Sequence, residues 1–368
     1  MNAIRRTLER LETEGNMRVI PSGAPCRVDF SENDYLGIAA DADLRRDFLR
    51  GLTEETFVPS SSASRLLASR QDAYTSLERY LTELYGKPAL LFNSGYHANT
   101  GMVAALGGKG TLFLADKLVH ASMIDGLTLS GSTFMRFLHN DMAHLERLIE
   151  KYAADYERVV ILAESVYSMD GDRADLPALV RAKRLHPDTL LYIDEAHAVG
   201  VLGERGLGLA QEYAGDVDIM VGTFGKALGS EGAFALMNND LRRFMVNRCR
   251  SLIFSTALAP VTVSWSEHVL RRVVEMDAER AHLQQLGCAL GQVLGTGTDS
   301  HIQPYIVGDA HRVMALSHSL LEDGVKVLPI RTPTVPPHTE RLRFSLSAAM
   351  SPDDISLLQS SMNKIVTL

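Results

Sequence analysis

Six short apolar runs punctuate the middle of the chain: ALLFN (89–93), TLFLAD (111–116), RVVILAES (158–165), TLLYIDEA (189–196), DIMVGTFG (218–225) and GAFALM (232–237). Each is too short for a free-standing helix and rich in Val, Ile, Leu and Phe, the pattern of strands buried on both faces. Stretches with helical spacing separate several of them, such as HLERLIEKYAAD (144–155) and LPALVRAKRLH (176–186). This alternation predicts an α/β fold, a mainly parallel sheet with helices on both sides. Ahead of it, Ile4, Leu8 and Leu11 mark a short amphipathic helix, followed by the turn-rich PSGAPC (21–26) and an extended piece from Val28 to Phe30. Behind it, a helical stretch over 265–295 leads into QPYIVG, VKVLPI and RLRFSLSA. That ending predicts a smaller α+β lobe. The expected organisation is an N-terminal segment (1–40) joining the small domain, a large domain (41–270) and a C-terminal small domain (271–368).

Composition removes several function classes. There are 37 Lys and Arg against 45 Asp and Glu, a formal charge of -8. A general nucleic-acid binder needs a basic excess, so no nucleic-acid partner is expected. Cys26, Cys249 and Cys288 lie far apart with no CxxC pair. That argues against a disulfide framework or a thiolate metal site, and it fits a reducing cytoplasm. No apolar run approaches the roughly 20 residues of a membrane span, and MNAIRRTLERLETEG lacks the apolar centre of a signal peptide.

The candidate chemistry lies at the strand ends, because ligands of open parallel sheets bind beyond the carboxyl ends of the strands. There the chain offers Asn93-Ser94-Gly95-Tyr96-His97, Asp116 with His120-Ala121-Ser122, Glu164 to Gly171, Asp194-Glu195-Ala196-His197, and Thr223-Phe224-Gly225-Lys226. Lys226 sits in GTFGKALG. In a partly buried apolar turn its amine would be a nucleophile toward a carbonyl, whereas a lone lysine in a glycine-rich loop is usually a surface residue. The phosphate-loop pattern G-x-x-x-x-G-K-[ST] fails, since Met220 stands at its first glycine and Ala227 follows the lysine. A nucleoside-triphosphate-dependent module is thereby demoted, although Asp194 to His197 match a helicase tetrapeptide. Asp194 ends the most apolar strand, where an acid needs a partner. A protonated pyridine nitrogen would serve, and a helix N-cap is the plainer alternative. Ser94, Gly95 and Tyr96 open a helix whose free N–H groups would hold a phosphate, with Thr223 adding a hydroxyl; ordinary capping is equally open. His120 is flat enough to stack on an aromatic ring, or is an ordinary helix-end histidine.

Several longer motifs stand in register from about Asn33 onward: ENDYLGI (32–38), SASRLLA (62–68), NSGYHANTG, HASMIDG (120–126), ESVYSMDGD (164–172), IDEAHAVGVLGERGLG (193–208), GTFGKALG, FSTALAP (254–260) and IRTPTVPPHTERLRFSLSAA (330–349). On them the chain resembles the α-oxoamine synthases, pyridoxal-phosphate enzymes of fold type I. The resemblance implies a homodimer with shared active sites. It also implies condensation of an amino acid with an acyl thioester on coenzyme A or acyl carrier protein, with loss of CO2. Within the family, Thr332 to Pro336 point to alanine as the amino acid.

By the same resemblance, Lys226 would join the cofactor's aldehyde, Asp194 would pair with the pyridine nitrogen, His197 would bond the ring hydroxyl and His120 would stack on the ring. Ser94, Gly95, Tyr96 and Thr223 would hold the phosphate, helped by Thr256 of a second subunit. Ser168 and Asn33 match positions that contact cofactor or substrate. Arg343 would clamp the amino-acid carboxylate, Thr334 matches a substrate contact, and Arg18 would reach the far end of the acyl chain. Lys226, Asp194 and both histidines are in place, which argues against a catalytically dead homologue. The departures are SSSASR in place of a glycine-rich lead, Tyr74 where a His is common, and Met350 in place of the His of AAHT. The basic cluster Arg242, Arg243, Arg248 and Arg250 reads as a solvated helix face or subunit contact before it reads as a site for coenzyme A phosphates.

Overall fold

The computed structural model describes residues 1–366 apart from 21, 22 and 24, so half of the PSGAPC turn lies outside the described residues. Two units emerge. The larger comprises Gly37–Tyr167 and Asp172–Asp277; the smaller comprises Met1–Leu36, Ser168–Gly171 and Ala278–Leu368.

The larger unit is built on a seven-stranded sheet, in the order Ala89–Phe92, Ala233–Met237, Ile219–Thr223, Thr189–Asp194, Arg158–Glu164, Thr111–Asp116 and Thr133–Phe137. All pairings are parallel except those of Ala233–Met237, which runs antiparallel to both neighbours. Six strands fall on the six apolar runs. The seventh, Thr133–Phe137, was not anticipated: it lies at the edge, and most of its residues are at least partly exposed. An edge strand has no second neighbour to demand a continuous apolar run, so TFMRF carries little signal. The helices Gly95–Leu106 and Ala121–Ser130 cover one face, where Met102, Val103, Leu127, Phe113, Val160 and Val221 form a common core. Each such side chain contributes roughly 1.5–3 kcal/mol by leaving water. This packing fixes which residues stand at the strand ends. The helix expected over 265–295 is two, Pro260–Val273 and Asp277–Leu294, with Pro260 in the first turn of the former.

One interaction clamps three of those ends. His139 places Nδ1 2.9 Å from Asp116 Oδ1 and Nε2 2.8 Å from Asp172 Oδ2. Burial pulls the imidazole pKa down, but the two carboxylates outweigh it and hold the value at about 10. The unfolded value is about 6.5. The folded value is the higher one, so the clamp's contribution is complete below pH ~6.5 and is lost as pH rises through about 10. His139→Asn should therefore lower the melting temperature most at pH 6 and progressively less as the pH rises through about 10. Calorimetry across that range checks this; a loss independent of pH would reject the clamp as an ionic one.

The smaller unit holds a three-stranded antiparallel sheet, Leu328–Ile330, Arg341–Ser345 and Ile302–Ile306, and a parallel pair, Val28–Asp29 with Val325–Lys326. The run VKVLPI thus divides at Val327 between two sheets. Helices Asn2–Thr13, Ala310–Glu322 and Pro352–Val366 complete the unit together with the helix beginning at Asp277. The tetrapeptide Ser168–Gly171 packs here. Gly171 has φ +71°, and a Cβ on it would lie 1.9 Å from the Ile302 carbonyl oxygen, so only glycine fits. Among the described residues, no helix is long and apolar enough to cross a membrane, and no group of His, Cys, Asp and Glu could hold a metal ion.

Candidate active site

Lys226 leaves the Ile219–Thr223 strand in a tight turn. The Gly229 N–H donates to the Lys226 carbonyl at 2.9 Å, and the Ser230 N–H donates to the Phe224 carbonyl at 2.9 Å. Gly229 has φ +50°, and a Cβ on it would meet Ile38 Cγ2 at 2.6 Å. The glycine therefore shapes the loop that aims the lysine. Lys226 Nζ stands 2.7 Å from Nε2 of the buried His197. Two cations repel at such a distance, so one nitrogen accepts the other's proton.

Asp194 lies on the neighbouring strand and is buried. Its Oδ1 accepts the Ala196 N–H at 2.8 Å, the local contact expected of a cap. Its Oδ2 accepts from Asn99 Nδ2 at 2.6 Å, a partner on another element. Directly across the register lies Glu164. Burial, then the Asp194 charge, pushes its carboxyl well above the usual range, against the Lys226 charge and a hydrogen bond from the His120 backbone N–H. Next in sequence, Glu195 is pushed to about 7 by burial, opposed by hydrogen bonds from the Ala210 N–H, the Ser165 hydroxyl and the Leu209 N–H. The two N–H donors cap both Glu195 oxygens, at 2.5 and 3.0 Å. Of the three acids, Asp194 is the one suited to meet a protonated ring nitrogen.

His120 caps the Ala121–Ser130 helix, with Nδ1 2.8 Å from Ser122 Oγ. Burial lowers its pKa; the Asp194 charge opposes this and the Lys226 charge adds to it. A neutral flat imidazole suits stacking. The Tyr96 ring meets it edge-on, with centroids 6.3 Å apart, and the Tyr96 hydroxyl bonds Asp125.

Ser94 caps the Gly95–Leu106 helix, accepting the His97 N–H at 3.2 Å. Gly95 and Tyr96, as first helical residues, have N–H groups with no acceptor inside the helix. A Cβ on Gly95 would find its nearest neighbour, Thr223 Cβ, only at 3.9 Å, so the cradle has room for a phosphate. The Thr223 hydroxyl is engaged with the Gly225 N–H and the Gly232 carbonyl, both at 3.1 Å. Thr256 is exposed, and its carbonyl accepts from Asn93 Nδ2 at 2.5 Å. Together this donor set fits pyridoxal phosphate: an amine, an acid for the ring nitrogen, a flat neutral imidazole and an open helix N-terminus.

In the smaller unit, Arg343 is buried. Its Nε donates to the Ser168 carbonyl at 2.6 Å, Nη1 to Ser345 Oγ at 2.7 Å, and both Nη atoms to Asn33 Oδ1 at 3.2 Å. No carboxylate among the described residues reaches it, whereas its neighbour Arg341 pairs with Asp170. A buried cation without a counter-charge is a ready seat for a carboxylate. Arg18 and Thr334 are exposed but joined, Nη2 to Oγ1, at 2.9 Å.

Of the departures, the one at Tyr74 resolves into packing. Tyr74 is buried, with its hydroxyl 2.9 Å from Ser61 Oγ and the Arg65 guanidinium 4.4 Å above its ring. Of the basic cluster, Arg242 serves the interior through Glu78 and the Ala89 carbonyl, while Arg243, Arg248 and Arg250 are exposed. Sequence reasoning gave no role to Glu164, Asn99 or Tyr192. The available signal was Tyr192 itself, since a tyrosine inside a fully apolar strand needs a hydrogen-bond partner.

The sequence pattern of the class I and II aminotransferases matches residues 27–360. The 8-amino-7-oxononanoate synthase of Haemophilus ducreyi is 43% identical over 368 residues, covering 96% of this chain and 95% of that one. The chain belongs to the α-oxoamine synthases. They are pyridoxal-phosphate-dependent acyltransferases of fold type I. A Pasteurella multocida relative, provisionally given the same synthase name, is 48% identical over 332 residues, covering 88% of this chain and 86% of that one. Among solved structures, SPT with PLP superposes on this α-oxoamine synthase with a TM-score of 0.89 at 26% identity, covering 100% of this chain and 98% of that one.

Proposed function

We infer that this enzyme condenses L-alanine with a pimeloyl thioester to give 8-amino-7-oxononanoate, CO2 and the free thiol, a step of biotin biosynthesis. The observation that carries the reading is the Lys226–His197 contact, at 2.7 Å, set beside Asp194 at the ends of adjacent strands. The names of the relatives support alanine and the pimeloyl group. When bound, pyridoxal phosphate supplies an aldehyde that amines join and a ring that accepts the electron pair left at the α-carbon. Lys226 contributes the amine and carries the proton at Nζ to and from that carbon. His197 holds Nζ and the ring hydroxyl, and Asp194 keeps the ring nitrogen protonated. His120 stacks on the ring. Ser94, Gly95, Tyr96 and Thr223 hold the phosphate, with Thr256 supplied by a second copy of the chain in a homodimer. Arg343, with Asn33 and Ser168 beside it, holds the amino-acid carboxylate. Thr334 contacts substrate, and Arg18, bonded to Thr334, reaches toward the far end of the acyl chain. A reducing cytoplasm suits the three free thiols.

A second reading is condensation of glycine or serine, as in glycine C-acetyltransferase, 5-aminolevulinate synthase or serine palmitoyltransferase. It draws on the higher structural likeness to SPT, TM-score 0.89 against 0.79 for the 8-amino-7-oxononanoate synthase of Francisella tularensis. The holoenzyme should be given L-alanine, glycine and L-serine in turn, each with pimeloyl-CoA, pimeloyl-loaded carrier protein, acetyl-CoA, succinyl-CoA and palmitoyl-CoA, with products read by mass spectrometry. Product from alanine and a pimeloyl thioester is the expected result. Turnover only with glycine or serine would replace it by the second reading.

A further inference from the structure

Asn99 is 1% exposed on the Gly95–Leu106 helix. Its amide reaches three side chains. Nδ2 donates to Asp194 Oδ2 at 2.6 Å and to Ser122 Oγ at 3.0 Å, while Oδ1 accepts from the Tyr192 hydroxyl at 2.7 Å. Tyr192 lies on the strand that ends in Asp194, and burial pushes its phenol well above the usual range, so the hydroxyl keeps its proton and acts as donor. That donor decides which way the amide faces. Flipped, the Asn99 carbonyl would oppose the Asp194 carboxylate, acceptor against acceptor, and the Tyr192 proton would have no oxygen to meet.

The second Nδ2 contact reaches further. With Asn99 donating to Ser122 Oγ, the serine's own proton is free for His120 Nδ1, 2.8 Å away. The Ser122 backbone N–H also donates to that nitrogen, at 3.2 Å. Nδ1 is therefore an acceptor, and the imidazole proton is on Nε2.

We propose that Asn99 is a positioning residue for the cofactor site, aiming the Asp194 carboxylate and, by occupying a lone pair of Ser122 Oγ, turning that hydroxyl's proton onto His120 Nδ1 beside the Ser122 backbone N–H, with the Tyr192 hydroxyl as the lock on the amide. This rests on the reading that Asp194 meets the ring nitrogen and His120 stacks on the ring. A charge-assisted hydrogen bond of this kind corresponds to a roughly 10- to 100-fold change in affinity.

The test measures cofactor dissociation by equilibrium dialysis, and the His120 nitrogen shifts in 15N-histidine-labelled holoenzyme, with the signal assigned through His120→Gln. Tyr192→Phe removes only the lock, and Asn99→Leu removes the donors at similar volume. The expected result is pyridoxal phosphate bound about tenfold more weakly in Tyr192→Phe and about a hundredfold more weakly in Asn99→Leu. In both, the His120 Nδ1 signal should shift as its hydroxyl donor is lost, while Nε2 stays protonated because the Ser122 backbone N–H still donates to Nδ1, a signature that loss of packing alone does not produce. Asp194→Asn separates the two ways of failing. If Asp194→Asn weakens binding while Tyr192→Phe and Asn99→Leu bind within twofold of the native enzyme and keep the native Nδ1 shift, the Asn99 assignment is overturned. If Asp194→Asn binds like the native enzyme, the underlying reading of Asp194 falls and takes this one with it. Should Asn99→Leu fail to fold, the near-isosteric Tyr192→Phe decides alone.

Discussion

Lys226→Ala should fold like the native chain and lose turnover by about 10⁴-fold or more, because one atom, Nζ, serves both as the amine and as the proton carrier. Removing it deletes both roles, and no second amine stands at the end of the Ile219–Thr223 strand. The half-buried side chain lies in a turn held by backbone hydrogen bonds that alanine leaves intact. A stability change within about 1 kcal/mol is expected, in keeping with substitutions outside a packed core. Turnover by mass spectrometry, beside melting temperature and circular dichroism, checks the pair of statements. A well-folded variant within tenfold of native turnover would end the assignment of Lys226.

Arg343→Ala should raise the KM for the amino acid by about a hundredfold, in line with the 2–5 kcal/mol that follows truncation of one side of a buried charge pair, and lower kcat less. The reason is the missing counter-charge. Among the described residues, the oxygens bonded to this buried guanidinium are neutral ones, those of Asn33, Ser168, Ser345 and Tyr35. Nearby Tyr35 cannot supply the charge, since burial drives its phenol up to about 12, with Arg343 pulling only partly against this. Alanine also strips donors from those oxygens, so some loss of stability is expected. Arg343→Lys separates the effects: it keeps the charge but loses the planar fork. It should recover stability and part of the affinity. An amino-acid KM unchanged in both variants would remove the carboxylate from this position.

The framework was legible where burial on both faces forces an unbroken apolar run, as in VVILA before Glu164 or LLYI before Asp194. From those strands the rule about carboxyl ends located Lys226, Asp194, His120 and His197 without help from any relative. Legibility ended where an element answers to only one neighbour, as at the Thr133–Phe137 edge. It also ended at Val274 to Met276, where the long helix breaks with neither proline nor glycine to announce it. Asn99 was invisible for another reason. A polar residue within a helix reads as a solvated position until its depth is known, and its role exists only because Tyr192 and Asp194 share a strand beside it. Arg343 lies in a strand, RLRFS, whose residues are all buried. The apolar pattern offers no cause for two arginines there; the resemblance singled out Arg343, and the pairing of Arg341 with Asp170 tells the two apart in the structure.

Residues 168–171 pack with the termini although the chain on either side of them belongs to the larger unit. The smaller unit is thus inherited in three pieces. A chimera that takes residues 1–36 and 278–368 from a relative and leaves the tetrapeptide behind would pair a foreign Arg341 with a native Asp170, and a foreign Arg343 with the native Ser168 carbonyl. Grafts meant to exchange amino-acid preference between relatives have to move all three segments together, and drift in any one of them is constrained by the other two.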